Sequence, residues 1–353
     1  MLCSGLMKEK ERSLNRRQFL KVLSAGAGVA LLGGVGFLRS RSLGPLESFS
    51  AAESLLGTWV TITVHHNDKF AAKQAVANAF EAIRGVDRVM SLHRTDSDLT
   101  KLNGHAGEMV SVDPSLIQIL QTTHLFHTKS GGVYDVSCLP LMRMYGFYRS
   151  NQSSKHYPSD AEIAKTLSLV NQRYISLDTK KNRAGLLRPG MGVDLGSIGK
   201  GYAVDRAGDA LRKAGIQNAL VDAGGNILAI GAPHGNTDTK EGWQVAIRNP
   251  FGGAAQPYFE TLTLRDQAVA TSGNYEQSIC LDGNSVGHLL NAITGKPENP
   301  GISATVVADN ATIADALSTS VFLLEPSHTS RLKDEATAIY FHQYDKTFAQ
   351  PKC

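Results

Sequence analysis

An α+β fold, with a mixed β-sheet and flanking helices, is what this 353-residue sequence predicts. Strand-like and helix-like stretches follow one another without regular βαβ alternation, which argues against a doubly wound sheet. There is no internal repeat, and no linker-like stretch divides residues 51–353, so these read as one compact domain behind an N-terminal segment, residues 1–50. At 42% hydrophobic and 19% charged, the chain carries enough apolar surface for a sizeable core.

Each element has its own signal. Gly57 to His65 (GTWVTITVH) alternates as a strand, and apolar residues from Phe70 to Met90 recur at helical spacing up to Ser91. Arg94 to Asn103 is polar and reads as a loop centred on Ser97-Asp98. Asp113-Pro114-Ser115 supplies a cap and a helix-entry proline for a second helix through Thr128, which Lys129-Ser130-Gly131-Gly132 ends. Arg149 to Asp160 reads as a polar surface insert. Asn218 to Gly231 forms two apolar runs around Gly224-Gly225-Asn226, a hairpin pattern. Strands follow at Trp243–Ile247, Thr261–Leu264 and Ala268–Thr271, then a helix at Ile313–Leu324 and a closing strand at Ala336–Phe341.

The net charge of +4 suggests nucleic acid only until it is divided. Residues 1–50 hold eight basic and three acidic residues, leaving 28 basic against 29 acidic in the body. A near-neutral body without a Lys/Arg stripe lacks the footprint of a phosphate-backbone binder, so no nucleic-acid partner is expected. Within the N-terminal segment, Asn15-Arg16-Arg17-Gln18-Phe19-Leu20-Lys21 precedes a glycine-interrupted apolar stretch, Val22 to Leu38. The pair of arginines and the modest apolar run look like a twin-arginine export signal, implying a periplasmic protein. The alternative is an uncleaved N-terminal tether to the inner membrane; Ser48-Phe49-Ser50 before Ala51 is a candidate cleavage site. The four cysteines (Cys3, Cys138, Cys280, Cys353) have no metal spacing and allow at most one disulfide once Cys3 is removed.

Three segments carry possible chemistry. In Val193-Asp194-Leu195-Gly196-Ser197-Ile198-Gly199-Lys200-Gly201 an acidic residue ends an apolar run, a glycine turn follows, and a helix starts near Ile198 with Lys200 in its first turn. Free N–H groups, close approach at glycine and one lysine suit phosphate oxygens, though the spacing is not that of a Walker loop. Asp315, Ser318 and Thr319 fall on one helix face, and one carboxylate with hydroxyl oxygens suits Mg²⁺ completed by substrate phosphates. The competing structural reading has Asp315 starting the helix and the hydroxyls bonding back to its carbonyls. In Gly287-His288-Leu289-Leu290-Asn291-Ala292-Ile293-Thr294-Gly295, His288 is either a general base or structural.

Taken together these segments resemble the ApbE family of FAD:protein FMN transferases. Supporting features are Leu56-Gly57-Thr58, Met90-Ser91-Leu92-His93 to Ser97 and Asn103, Gly132-Val133-Tyr134-Asp135, Pro140-Leu141, and Tyr145-Gly146-Phe147. The Asp194 to Asp205 core, the glycine hairpin, the His288 motif and the Asp315 helix follow in the family's order. The resemblance implies an α+β enzyme that binds FAD as substrate, uses Mg²⁺, moves FMN to a Ser or Thr hydroxyl of a client protein and releases AMP. It implies an FAD site at Leu56, His93, Val133, Tyr134, Asp135, Asp194, Lys200 and Leu290, and a Mg²⁺ site at Ser197, Asp315, Ser318 and Thr319. His288, Lys200 and Asp315 are the implied catalytic residues, and the implied client is a membrane-bound redox flavoprotein. Two positions depart from the pattern: His93 replaces a tyrosine, and Asn291-Ala292 replaces Asp-Pro. Rival readings are an FAD pyrophosphatase yielding FMN and AMP, and a non-catalytic exported flavin binder.

Overall fold

The computed structural model describes residues 46–343 except 149–155, 234–240, 299–301 and positions 251, 253, 255, 276 and 325. The twin-arginine segment, the apolar stretch behind it, Cys3 and Cys353 lie outside the described residues. Among the described residues no helix is long and apolar enough to cross a membrane.

Strand β1 (Glu47–Leu55) turns through Leu56 and Gly57 into β2 (Thr58–His66), so the strand runs across the 50/51 boundary. Asp68 caps the long helix α1 (Lys69–Met90) by accepting from Phe70 N and Ala71 N. The stretch expected to be a polar loop contains a helix, α2 (Asp98–Gly104). Its only apolar anchors are Leu99 and Leu102, too few for a periodic signal, and its start is set by the Ser97 hydroxyl accepting from Thr100 N. Strand β3 (Met109–Ser111) leads to α3 (Pro114–Lys129), which Asp113 caps as expected. Next come α4 (Leu139–Tyr145) and α5 (Asp160–Leu167). The second helix begins where the polar insert was expected to end. Strands β4 (Ile175–Asp178) and β5 (Arg183–Leu186) join β3 in a small sheet of order β3-β5-β4.

Helix α6 (Gly199–Lys213) precedes the hairpin β6 (Ala219–Ala223) and β7 (Asn226–Ile230). Two peripheral strands, β8 (Trp243–Arg248) and β9 (Tyr258–Leu264), pair with each other, followed by β10 (Gln267–Ser272). A second small hairpin, β11 (Ser278–Leu281) and β12 (Asn284–Gly287), delivers the His288 loop. Strand β13 (Ile302–Ala308), helix α7 (Ala311–Leu323) and strand β14 (Ala338–Gln343) complete the domain.

The central sheet has seven strands in the order β1-β2-β6-β7-β10-β13-β14. It is antiparallel at every pairing, not mixed as expected. Alternation along its strands assigns two faces. Leu228, Ala268, Ala270 and Val306 point to the face covered by helices, in one cluster with Ala203, Leu317 and Val321. Ala229, Val269 and Val307 point the other way, onto Trp243, Val245 and Leu264 of the β8–β9 pair. Helix α7 is buried along its length except at Ile313, so it is a core helix carrying polar residues.

Candidate active site

Helices α6 and α7 meet at a glycine. A Cβ built on Gly201 would lie 2.7 Å from both the Ala311 carbonyl carbon and the Asp315 Cβ, so only glycine allows this approach. The gap is used: Gly201 N donates to Asp315 Oδ2 at 2.9 Å. One turn further on, Asp205 accepts from Ala311 N and Thr312 N, both at 2.8 Å, and from the Thr312 hydroxyl. Asp205 thus reaches from α6 to satisfy N–H groups at the start of α7, which orients the helix that carries Asp315.

Asp315 lies in the second turn of α7, not at its start, since Asn310 caps the helix by accepting from Ile313 N. It is only 5% exposed, and burial pushes its carboxyl above the usual range, against the pull of Lys200 and the Gly201 N–H. Among the described residues no cationic side chain pairs with it. Around it, Ser318 Oγ donates to the Asp315 carbonyl at 2.9 Å, the back-bonding that the structural reading foresaw. Ser318 and Thr319 hydroxyls also lie 2.8 and 3.1 Å from Ser272 Oγ at the end of β10. Ser197 Oγ donates to the Tyr134 hydroxyl at 3.1 Å, and that buried phenol is raised by its burial and by the charge of Asp315. A buried carboxylate that shares its helix face with the hydroxyl residues Ser318 and Thr319 has the donor types that suit a hard divalent cation. Among the described residues no three His, Cys, Asp or Glu side chains gather to hold a metal ion, at Asp315 or elsewhere.

Next to this cluster is a cavity of about 400 Å³ whose lining includes Leu56, Met90, His93, Tyr148, Asp194 and Lys200. Four of the implied FAD residues therefore share one wall system: Leu56, His93, Asp194 and Lys200. Leu56 is held there at a cost, since its φ of 54° is a left-handed conformation that an aliphatic residue rarely adopts. Val133, Tyr134, Asp135 and Leu290 do not line this cavity. Asp135 spends its carboxylate inside the fold, accepting from Ser137 N and Oγ and from Gln172 N, with His127 at 3.2 Å. Leu290 is buried against Leu141 and Tyr145, and Ala292 N donates to the Val133 carbonyl, so these two segments are neighbours.

The glycine turn works differently from the sequence expectation of free N–H groups. Gly196 N donates to Asp194 Oδ1, Gly199 N to the Leu195 carbonyl and Gly201 N to Asp315. These three donors are consumed in shaping the turn, while among the described residues no bond from Ser197 N or Lys200 N is found, and the Lys200 Nζ rests 3.2 Å from the Gly196 carbonyl.

His288 is half-buried, and its Nδ1 sits 3.1 Å from the Gln277 carbonyl. A carbonyl can only accept, so the proton is on Nδ1 and Nε2 carries the lone pair. Burial lowers its pKa, with Lys200 adding to the effect, so the ring is neutral at pH 7. The Asn291 departure keeps its turn: Oδ1 accepts from Ile293 N at 2.9 Å and Thr294 N at 3.2 Å, as an aspartate would. What changes is charge, and Asn291 Nδ2 donates to Glu298 Oε1 at 3.0 Å. Tyr145, in the aromatic-Gly-Phe segment, donates its hydroxyl to the Gly295 carbonyl and braces the same turn. Cys138 and Cys280 are unpaired.

Sequence reasoning passed over Tyr148, which lines the cavity and donates its hydroxyl to Asp194 Oδ2 at 2.7 Å. Its only local signal was its place at the end of the Tyr145-Gly146-Phe147 run.

Comparison with known proteins identifies the family. The ApbE family model matches residues 56–341. A Treponema pallidum FAD:protein FMN transferase is 31% identical over 318 residues, covering 85% of this chain and 84% of the relative. A Klebsiella pneumoniae FAD:protein FMN transferase is 27% identical, covering 78% and 82%. Among solved structures, the ApbE protein of Thermotoga maritima superposes with a TM-score of 0.76 at 27% identity, covering 86% of this chain and 98% of that one. The apo flavinyl transferase ApbE of Pseudomonas stutzeri gives 0.71 at 26%, covering 85% and 92%.

Proposed function

Because the chain belongs to the ApbE family, we propose that it is an FAD:protein FMN transferase that moves FMN from FAD to a Ser or Thr hydroxyl of a client protein and releases AMP. The observation that carries this reading is the junction of one cavity with one buried polar cluster. A cavity lined by Leu56, Met90, Leu92, His93 and Tyr148 also takes in Lys200, whose charge acts on Asp315.

In the reaction, the acceptor oxygen forms a bond to the FMN phosphorus while the bond from that phosphorus to the bridging oxygen breaks. AMP departs with the bridging oxygen, and the acceptor's proton passes to a base. His288 Nε2 suits that base, being unprotonated and oriented by the Gln277 carbonyl. Lys200 places its charge where the pyrophosphate oxygens gain theirs. Asp315, Ser197, Ser318 and Thr319 would hold Mg²⁺, which supplies electrostatic stabilisation of phosphate charge when bound. The twin-arginine reading places this work in the periplasm, on a client that is a membrane-bound redox flavoprotein.

The experiment is to incubate the protein with FAD, Mg²⁺ and a Ser- or Thr-bearing acceptor fragment, then follow acceptor mass and AMP. An acceptor heavier by one FMN supports transfer. AMP without acceptor gain means hydrolysis, and neither product means a binder.

A further inference from the structure

Tyr148 belongs to none of the motifs above, yet it is the residue through which the rim of the cavity reaches Asp194. Its hydroxyl donates to Asp194 Oδ2 at 2.7 Å, while Gly196 N holds Oδ1 at 2.8 Å. The two donors fix the carboxylate from both sides, and each oxygen keeps a free lone pair. With the hydroxyl engaged, Tyr148 still lines the cavity and is 37% exposed. The His93 ring lies 6.1 Å away, tilted by 52°. At that distance and tilt the rings are not stacked on one another, and neither covers the other's face. Leu56, Met90 and Leu92 add apolar surface to the same lining, and Lys200 and Arg94 are its cations.

We propose that Tyr148 is a specificity-determining residue, whose ring packs against the isoalloxazine of FAD while its hydroxyl holds Asp194 in one orientation. This rests on the flavin-transfer reading and deepens it. A flat, largely apolar ring system with a phosphate tail matches a cavity whose lining holds two aromatic side chains, His93 and Tyr148, and two cations, Lys200 and Arg94. The ring selects for flavin; the hydroxyl keeps Asp194 in register.

The test titrates wild-type protein, Tyr148→Leu and Tyr148→Phe with FAD and, separately, with ADP, which has the phosphates but no flavin. Binding is read by quenching of flavin fluorescence for FAD and by calorimetry for both ligands. Tyr148→Leu should bind FAD about tenfold more weakly, the worth of one aromatic contact, with less quenching and unchanged ADP affinity. Tyr148→Phe should keep the quenching and lower kcat more than it raises KM, because the ring stays while Asp194 loosens. Wild-type affinity and quenching in Tyr148→Leu would overturn the proposal, as would an equal loss for ADP. Wild-type protein that binds no FAD would instead sink the flavin-transfer reading itself. Melting temperatures of the two variants close to wild type keep the comparison one of binding.

Discussion

Replacing Gly201 by alanine tests whether the α6–α7 contact sets the site. The added methyl would lie 2.7 Å from Asp315 Cβ and from the Ala311 carbonyl carbon, whereas carbon atoms rest comfortably at about 3.5–4.0 Å. The helices must therefore part by about 1 Å, which takes the 2.9 Å bond from Gly201 N to Asp315 out of range. Overpacking costs about 1–3 kcal/mol, and a lost bond to a charged group about 1.5–3 kcal/mol. The better helix propensity of alanine returns about 1 kcal/mol. The net loss is about 1.5–5 kcal/mol, read in a thermal melt as a fall of roughly 2–8 °C for a domain of this size. A 1 Å displacement of a catalytic group costs on the order of 100-fold in rate, so FMN transfer should fall by about that factor. Gly104→Ala is the control, since a Cβ there meets nothing within 4 Å. A Gly201→Ala protein that melts and transfers like wild type would refute the reasoning.

Three further perturbations have expected signs. Leu56→Asn should raise the melting temperature, by about 0.5–1 kcal/mol in stability, because asparagine tolerates the left-handed turn. It should weaken FAD binding several-fold by removing an apolar wall, and a gain or loss in both together would count against the trade-off. For His288, burial lowers the folded pKa below its unfolded value, so its neutral form is the stabilised one. Its contribution is present above the ordinary imidazole range and is lost as pH falls through the lower folded value. The acid limb of kcat/KM should thus fall below pH 6.5 and vanish in His288→Gln; a limb unmoved by that change would exclude His288 as base. Asn291→Asp should set two carboxylates face to face with Glu298, costing about 1–3 kcal/mol at neutral pH. Acidification or the added Glu298→Gln should restore the melting temperature, and no rescue would mean the pair is not coupled.

Strands such as Thr58–His66 and long helices such as Lys69–Met90 were legible because their apolar periods are strong, whereas β1, β3, β4, β5 and β13 were not foreseen. Helix α2 was not, because seven residues with two buried leucines carry no period. The same split runs through the site. Asp315, Ser318 and Thr319 could be placed on one helix face from spacing alone, and Lys200 in a first turn from the glycines. The meaning of Gly201 and Asp205 could not, since each acts on a partner more than 100 residues away. Local reasoning also could not tell that the N–H groups of Gly196, Gly199 and Gly201 are engaged within the fold. Asp135 was assigned to FAD by resemblance, whereas its carboxylate serves Ser137, Gln172 and His127.

Helix α7 is enclosed by β10 and β13 on one side and α6 on another, and this has an evolutionary consequence. No surface position on it is free to vary while Asp315 stays still. Selection for a sound core and selection for a placed carboxylate fall on the same side chains, among them Ala311, Leu317 and Val321. Sequence is freer to drift at positions such as Gln244, Ala246 and Arg248, the exposed side of strand β8, without moving the carboxylate.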